Sequence, residues 1–195
     1  MIQQYNPLAS TPLQVGADFV RPQQYLPAKV AFDDPATWVM TDLHKVSVVS
    51  VREQTPVDKA NARMIRYGVR MLVVLDEHEQ VAGLLTANDV LGEKPMRFMQ
   101  EMGVSHGDIR VWDIMTPQRE IGVLDIQDVR AAKVGNIVAS LKRADRQHAL
   151  VVEMDGNGKQ AVCGLFSLTQ IARQLGVETR SFDIARLFAE IDAIH

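Results

Sequence analysis

What most restricts the folding of this chain is a repeat within it. Val69-Arg70-Met71-Leu72-Val73-Val74-Leu75-Asp76 passes through a polar turn to Gly83-Leu84-Leu85-Thr86-Ala87-Asn88-Asp89. Gln147-His148-Ala149-Leu150-Val151-Val152 passes through Asp155-Gly156-Asn157-Gly158 to Gly164-Leu165-Phe166-Ser167-Leu168-Thr169-Gln170. Each stretch reads as an apolar strand, a turn, a second apolar strand ending in Gly, and a hydroxyl residue that opens a helix. Self-similarity of this length predicts two stacked copies of one supersecondary unit.

The repeat continues upstream. Met40-Thr41 and Met115-Thr116 precede Val46-Ser47-Val48-Val49-Ser50-Val51 and Ile121-Gly122-Val123-Leu124-Asp125-Ile126 at an offset of 75. The offset is 78 at Leu72/Leu150 and 81 at Thr86/Ser167, which puts the insertions in a loop-helix region and in a hairpin, where extra residues cost little. The unit reads strand, helix, strand, strand, helix over roughly 55 residues, too few for a self-sufficient core. Two copies packed face to face can share one.

The first predicted helix opens at Thr55-Pro56, with Pro at the first turn and Asp58 near the positive end. Val57, Ala60, Met64 and Ile65 form its apolar stripe. The second carries Val134, Ile137, Val138 and Leu141. Residues 1–37 hold five of the eight prolines and read as an extended arm. Met96, Phe98, Met99 and Met102 predict a short packed helix in the connecting segment 92–110. The tail 181–195, with Phe182, Leu187, Phe188 and Ile191, reads as a docking or dimer helix, or as core folded back on its own chain.

Composition narrows the function classes. The chain has 195 residues, 47% of them hydrophobic, a net charge of −3 and a pI near 5.9, with no basic face that would mark nucleic acid as the main partner. The single cysteine, Cys163, lies in an apolar strand, reads as a buried small hydrophobe and fits a reducing cytoplasm. No apolar run approaches the ~18 residues of a membrane span, and the polar N-terminus has no signal-peptide core.

Thr-Pro before a helix, Gly68-Val69-Arg70 before Leu-Val-Val, an Asp-Glu turn and Gly83-Leu84-Leu85-Thr86-Ala87-Asn88-Asp89 together resemble a cystathionine-β-synthase-type (CBS) domain. Val111-Trp112-Asp113-Ile114-Met115-Thr116-Pro117 is similar to the start of a second one, so the likeness covers about residues 38–176. The resemblance implies an α/β fold of two pseudo-symmetric CBS domains, at 38–91 and 111–176, paired as a stand-alone Bateman module, with a C-terminal helix over 177–195. It implies a non-catalytic regulatory or sensor module, with an adenine nucleotide (AMP, ADP or ATP) or a related adenosyl ligand in the cleft between the domains. It further implies a homodimer and a regulated protein partner. An adaptor with no small-molecule ligand is the alternative.

The residues themselves suit such a ligand. Thr86 sits at a strand-to-helix junction, where free backbone N–H groups favour phosphate. Asp89, one turn on, can accept two hydrogen bonds from a ribose diol, and Arg70 can clamp phosphate. The resemblance assigns Thr86, Asp89 and Arg70 these same roles and implies that Val49, Ser50 and Val51 hold the adenine. A Thr86…Asp89 pair is equally a helix capping box that needs no ligand. In the second copy Ser167 keeps the hydroxyl and Gln170 replaces the acid, a pair that also fits a capping box. The offset of 78 aligns His148 with Arg70, as a phosphate contact when protonated or as a half-buried polar residue.

The remaining motifs carry less. Asp155-Gly156-Asn157-Gly158-Lys159 starts like a calcium loop, but lacks the Glu that closes one and reads as a hairpin turn. His106 and Asp108 lack metal-spaced partners. No catalytic constellation, metal site or required cofactor is expected.

Overall fold

The computed structural model describes residues 23–156, 158–177 and 184–194, with the isolated positions 12, 14 and 15. A 3-10 turn, Ala36–Val39, leads into β1 (Thr41–Asp42), β2 (Ser50–Arg52), α1 (Val57–Tyr67), β3 (Met71–Leu75), β4 (Val81–Thr86) and α2 (Ala87–Leu91). Then come α3 (Lys94–Met102), α4 (Val111–Ile114), β5 (Thr116–Pro117), β6 (Val123–Asp125), α5 (Ile126–Ala131), α6 (Val134–Arg143), β7 (His148–Met154), β8 (Gln160–Ser167), α7 (Leu168–Gln174) and α8 (Ile184–Asp192).

Two four-stranded sheets form, in the orders β2-β3-β4-β5 and β1-β8-β7-β6. In each, a parallel pair is joined through helix and an antiparallel hairpin follows: β2 with β3 and β3 with β4, then β6 with β7 and β7 with β8. The fourth strand is exchanged. β1, which leads the first unit, pairs with β8 of the second, and β5, which leads the second, pairs with β4 of the first. The link between units is therefore a pair of backbone ladders as well as apolar contact.

The exchange explains the glycine in each copy. Gly83 lies opposite Pro117, and Gly164 opposite Asp42. A Cβ on Gly83 would sit 2.6 Å from the Thr116 carbonyl oxygen and 2.7 Å from the Met115 sulfur. A Cβ on Gly164 would meet the Met40 sulfur at 2.8 Å and the Thr41 oxygen at 3.2 Å. The repeated Met-Thr and the repeated Gly are thus two halves of one contact, made twice.

Backbone pairing fixes the equivalence of the two units and corrects the alignment read from sequence. Val57 N–H donates to the Ile109 oxygen and Val111 N–H to the Thr55 oxygen; reciprocally, Val134 N–H donates to Asp34 and Ala36 N–H to Ala132. Ala87 N–H reaches the Arg70 oxygen as Leu168 N–H reaches the Gln147 oxygen. Arg70 therefore corresponds to Gln147, and His148 corresponds to Met71, which pairs with Thr86 as His148 pairs with Ser167. Matching Leu-Val-Val to Leu-Val-Val slipped the register by one residue, which in a strand changes the face. Likewise Ser50 pairs with Val73 as Val123 pairs with Leu150, so Arg52 corresponds to Asp125.

Three apolar clusters result. One centres on the first unit, around Val57, Ala60, Met64, Leu72, Leu85 and Ile109. One lies between the sheets, around Met71, Val73, Leu84 and Leu150. The largest belongs to the second unit and recruits Ala36, Val39 and Met40 from before the first, with Leu187, Phe188 and Ile191 of α8. The packing also bears on three sequence expectations. Ile65 is 74% exposed, so the buried stripe of α1 is narrower than predicted. The described part of the tail folds back as core: Leu187 and Ile191 are fully buried within their own chain, while Phe182 lies outside the described residues. In α3 the expected packing is split, with Phe98 and Met99 against the core while Met96 and Met102 stay exposed.

Three substitutions test this packing. Gly83→Ala should lower the urea midpoint by the equivalent of about 1–3 kcal/mol. Gly164→Ala should cost less, because its nearest neighbour is a flexible Met side chain rather than a carbonyl. Leu187→Ala should destabilise by about 2–5 kcal/mol, as a core truncation does. Its loss should not depend on protein concentration; a concentration-dependent loss would place α8 in a dimer contact instead.

Candidate functional site

Strand exchange divides the predicted site residues between two cavities. The larger, about 750 Å³, is bounded by Thr41, Val48, Val49, Val69, Arg70 and Met71 from the first unit and by His148, Leu165, Ser167, Gln170 and Arg173 from the second. The smaller, about 200 Å³, takes Thr86 and Asp89 from the first unit and Thr116, Gly122, Arg146, Gln147 and His148 from the second. Arg70 and Val49 thus meet Ser167 and Gln170, whereas Thr86 and Asp89 face the other way. Ser50 and Val51 line neither; they border a third cleft on the outer side of α1.

Asp89 is occupied by its own surroundings. Its Oδ2 accepts from the Thr86 N–H at 2.7 Å and from the Thr86 hydroxyl at 2.7 Å, and its own N–H donates to Thr86 Oγ1 at 3.3 Å. That is a complete capping box on α2. The other oxygen, Oδ1, meets Lys94 Nζ at 2.6 Å. With 8% of the residue exposed, little of the carboxylate is left for a ribose.

The second copy lacks this closure. Ser167 makes no side-chain capping bond. Gln170 is drawn away, its Nε2 donating to the Val39 oxygen at 3.4 Å and to Gln174 Oε1 at 3.3 Å. The capping box expected at Ser167…Gln170 is therefore absent, and the Ser167 side chain borders the larger cavity. α2 and α7 span 5 and 7 residues. Such short helices sum few peptide dipoles, so cationic side chains must supply most of any attraction for phosphate.

Those cations were only partly visible in the sequence. Lys29, from the segment before β1, and Arg173, on α7, join Arg70 around the larger cavity. No described residue lining it bears a carboxylate. Burial draws the Arg70 guanidinium below the ordinary arginine value, a sign that its charge is partly removed from water. Lys29 lies far from both repeats, so no motif marks it; Arg173, three residues after Gln170, was open to detection by helical spacing.

His148 stands between the two cavities and borders both. Its Nδ1 is closed to solvent and has no hydrogen-bond partner among the described residues. Burial, reinforced by the nearby Arg70 charge and only partly offset by Asp89, lowers its pKa from 6.5 to about 4. The ring is therefore neutral at neutral pH. This desolvation opposes the protonated ring that a phosphate contact would need.

The shift has a sign. The unfolded ring binds a proton below its ordinary value while the folded ring resists, so this part of the stability is intact above pH 6.5 and is lost as pH falls toward the folded pKa of about 4. Between about pH 7.5 and about pH 5, the native chain should lose roughly 2 kcal/mol more than His148→Gln in denaturant titrations. Equal slopes in the two proteins would refute the buried neutral ring.

Residues 39–95 match the family model described as CBS domain. No curated protein sequence matches the chain. An uncharacterized conserved protein from Pyrococcus horikoshii superposes with a TM-score of 0.52 at 23% identity, over 79% of this chain and 98% of that one. CBSX2, crystallised in complex with AMP, gives 0.50 at 21% identity, over 72% and 93%. A putative signal-transduction protein with CBS domains from Burkholderia ambifaria gives 0.50 at 20% identity, over 70% and 89%. The likeness to these structures is one of fold, and it takes in both sheets. Residues 39–95 thus match a CBS domain, and the fold shared with these structures extends over both halves of the chain.

Proposed function

We propose that this tandem CBS pair is a regulatory module that binds an adenine nucleotide, or a related adenosyl ligand, in the larger cavity between its units. One observation carries the reading: a cavity of about 750 Å³ places apolar Val48, Val49, Val69 and Leu165 in the same space as Lys29, Arg70 and Arg173, with no carboxylate among its described lining residues. Its volume lies within the roughly 300–1,000 Å³ of small-molecule sites, and the other cavity, at about 200 Å³, falls below that range. A flat apolar group beside a phosphate matches the lining in both chemistry and extent. The AMP bound by CBSX2, a protein of the same fold, supports the ligand class.

The walls come from both units, so an occupant touches both at once. Binding can alter function only if it favours one arrangement of the units over another. Exchanged ladders restrict that change to small shifts in the packing between the sheets.

AMP, ADP, ATP and S-adenosylmethionine should be compared in a thermal-shift titration. At about a hundred times its dissociation constant, the true ligand should stabilise the protein by roughly 2.7 kcal/mol. Arg70→Ala should weaken binding by about ten- to a hundredfold in calorimetry, the range for a lost charge-assisted hydrogen bond. Asp89→Asn should cost stability through the cap, roughly 0.5–2 kcal/mol, and leave affinity nearly unchanged. The reverse ranking would move the ligand to the smaller cavity. A flat response to all four compounds would favour the ligand-free adaptor.

A further inference from the structure

A cleft of about 570 Å³ lies on the outer side of the first unit, between β2, α1 and the turn after β3. Arg52, Lys59, Arg63 and Arg66 line it, with the Ser50 and Thr55 hydroxyls and the Tyr67 ring. It shares no lining residue with the cavity between the units. Its one carboxylate, Glu79, is bound by Arg52. Lys59, Arg63 and Arg66 have no ion-pair partner among the described residues. They stand at i, i+4 and i+7 on α1, one face of the helix. Arg63 and Arg66 hold their guanidinium carbons 5.6 and 5.8 Å from the Tyr67 ring centre. That cation–π contact keeps two like charges close together.

The chain carries a net charge of −3, so this grouping opposes its average. Nor does the fold demand it. α1 and α6 begin at equivalent residues, Val57 and Val134, as their reciprocal backbone bonds show. At that offset the second unit has Asn136 for Lys59 and Ser140 for Arg63, and strand register puts Asp125 in place of Arg52. Only Arg66 keeps its charge, as Arg143. One copy of the unit thus folds with neutral and acidic residues where the other gathers cations that repel one another. An anion in the cleft relieves that repulsion.

We infer that this outer cleft is a binding site for a small, multiply charged phosphate, distinct from the site between the units. Guanidinium groups match phosphate oxygens through paired N–H donors, and neighbouring hydroxyls supply further donors. The concave shape and limited volume suit a compact phosphate chain rather than an extended polymer.

Inorganic triphosphate is the probe, titrated calorimetrically into the full chain at fixed ionic strength. Binding should survive Arg70→Ala and fall by about tenfold or more in the double variant Lys59→Gln/Arg63→Gln, while AMP binding to that variant stays unchanged. Circular dichroism should show the variant folded, since both side chains are exposed. Loss of triphosphate binding in Arg70→Ala with none in the double variant would place the anion between the units and overturn the inference. So would triphosphate binding no tighter than sulfate, or tighter binding of a poly-glutamate peptide. A failed AMP titration with the triphosphate result intact would refute the proposed nucleotide site alone.

Discussion

The exchange of the two leading strands is the contact on which the rest of this molecule depends. β1 completes the second sheet and β5 completes the first. Each crossing requires a residue without a side chain, Gly83 or Gly164, under a Met-Thr step. Neither unit can satisfy the edge of its sheet alone, because its fourth strand belongs to the neighbour. An unpaired edge leaves backbone groups without partners, so the exchange joins sheet completion to assembly of the units. It also sets the cavities: once the leading strands cross, each space between the sheets draws its walls from both halves.

Much of this was legible in the chain. The repeat, the strand order within each unit, the hairpins and the helix starts follow from apolar periodicity and turn residues, all of which are local signals. What was not legible depends on contacts distant in sequence. Nothing in Thr41 or Thr116 says that its strand will pair with the other copy. The one-residue slip that matched His148 to Arg70 arose because Leu-Val-Val recurs at a different register in the second copy. Only the ladder, in which Val74 faces Gly83 and Val151 faces Gly164, resolves it. The fate of the tail was likewise non-local: an apolar stripe shows that α8 must be covered, and only packing shows that its own chain covers it.

The candidate site residues are regrouped in space. Arg70, Val49, His148, Ser167 and Gln170 share the larger cavity, while Thr86 and Asp89 share the smaller. The Thr-x-x-Asp pattern has two physical meanings, cap and ligand contact, and its neighbours decide between them. Lys94 meets the carboxylate oxygen that the cap leaves over, so this copy of the motif is consumed in holding α2. The copy with the weaker pattern, Ser167 and Gln170, borders the roomier space because its side chains do not close on each other.

The same regrouping governs charge. Arg70 and Asp89 belong to one unit, and a site built within that unit would bring an arginine and an aspartate together. Such a pair neutralises itself and gives a nucleotide phosphate little net attraction. Crossing the strands instead sets Arg70 opposite Gln170 and sets Asp89 opposite Gln147 and Arg146. Divergence between the copies then acts on each cavity separately. The acid-to-amide change at Gln170 removes a carboxylate from the space that Arg70 enters, and the arginine-to-amide change at Gln147 removes a cation from the space that holds Asp89. His148 forms the wall between them, and its ring stays neutral because the Arg70 charge and burial outweigh Asp89. A duplicated unit with exchanged strands can in this way keep one scaffold while its two cavities differ in the charges that line them.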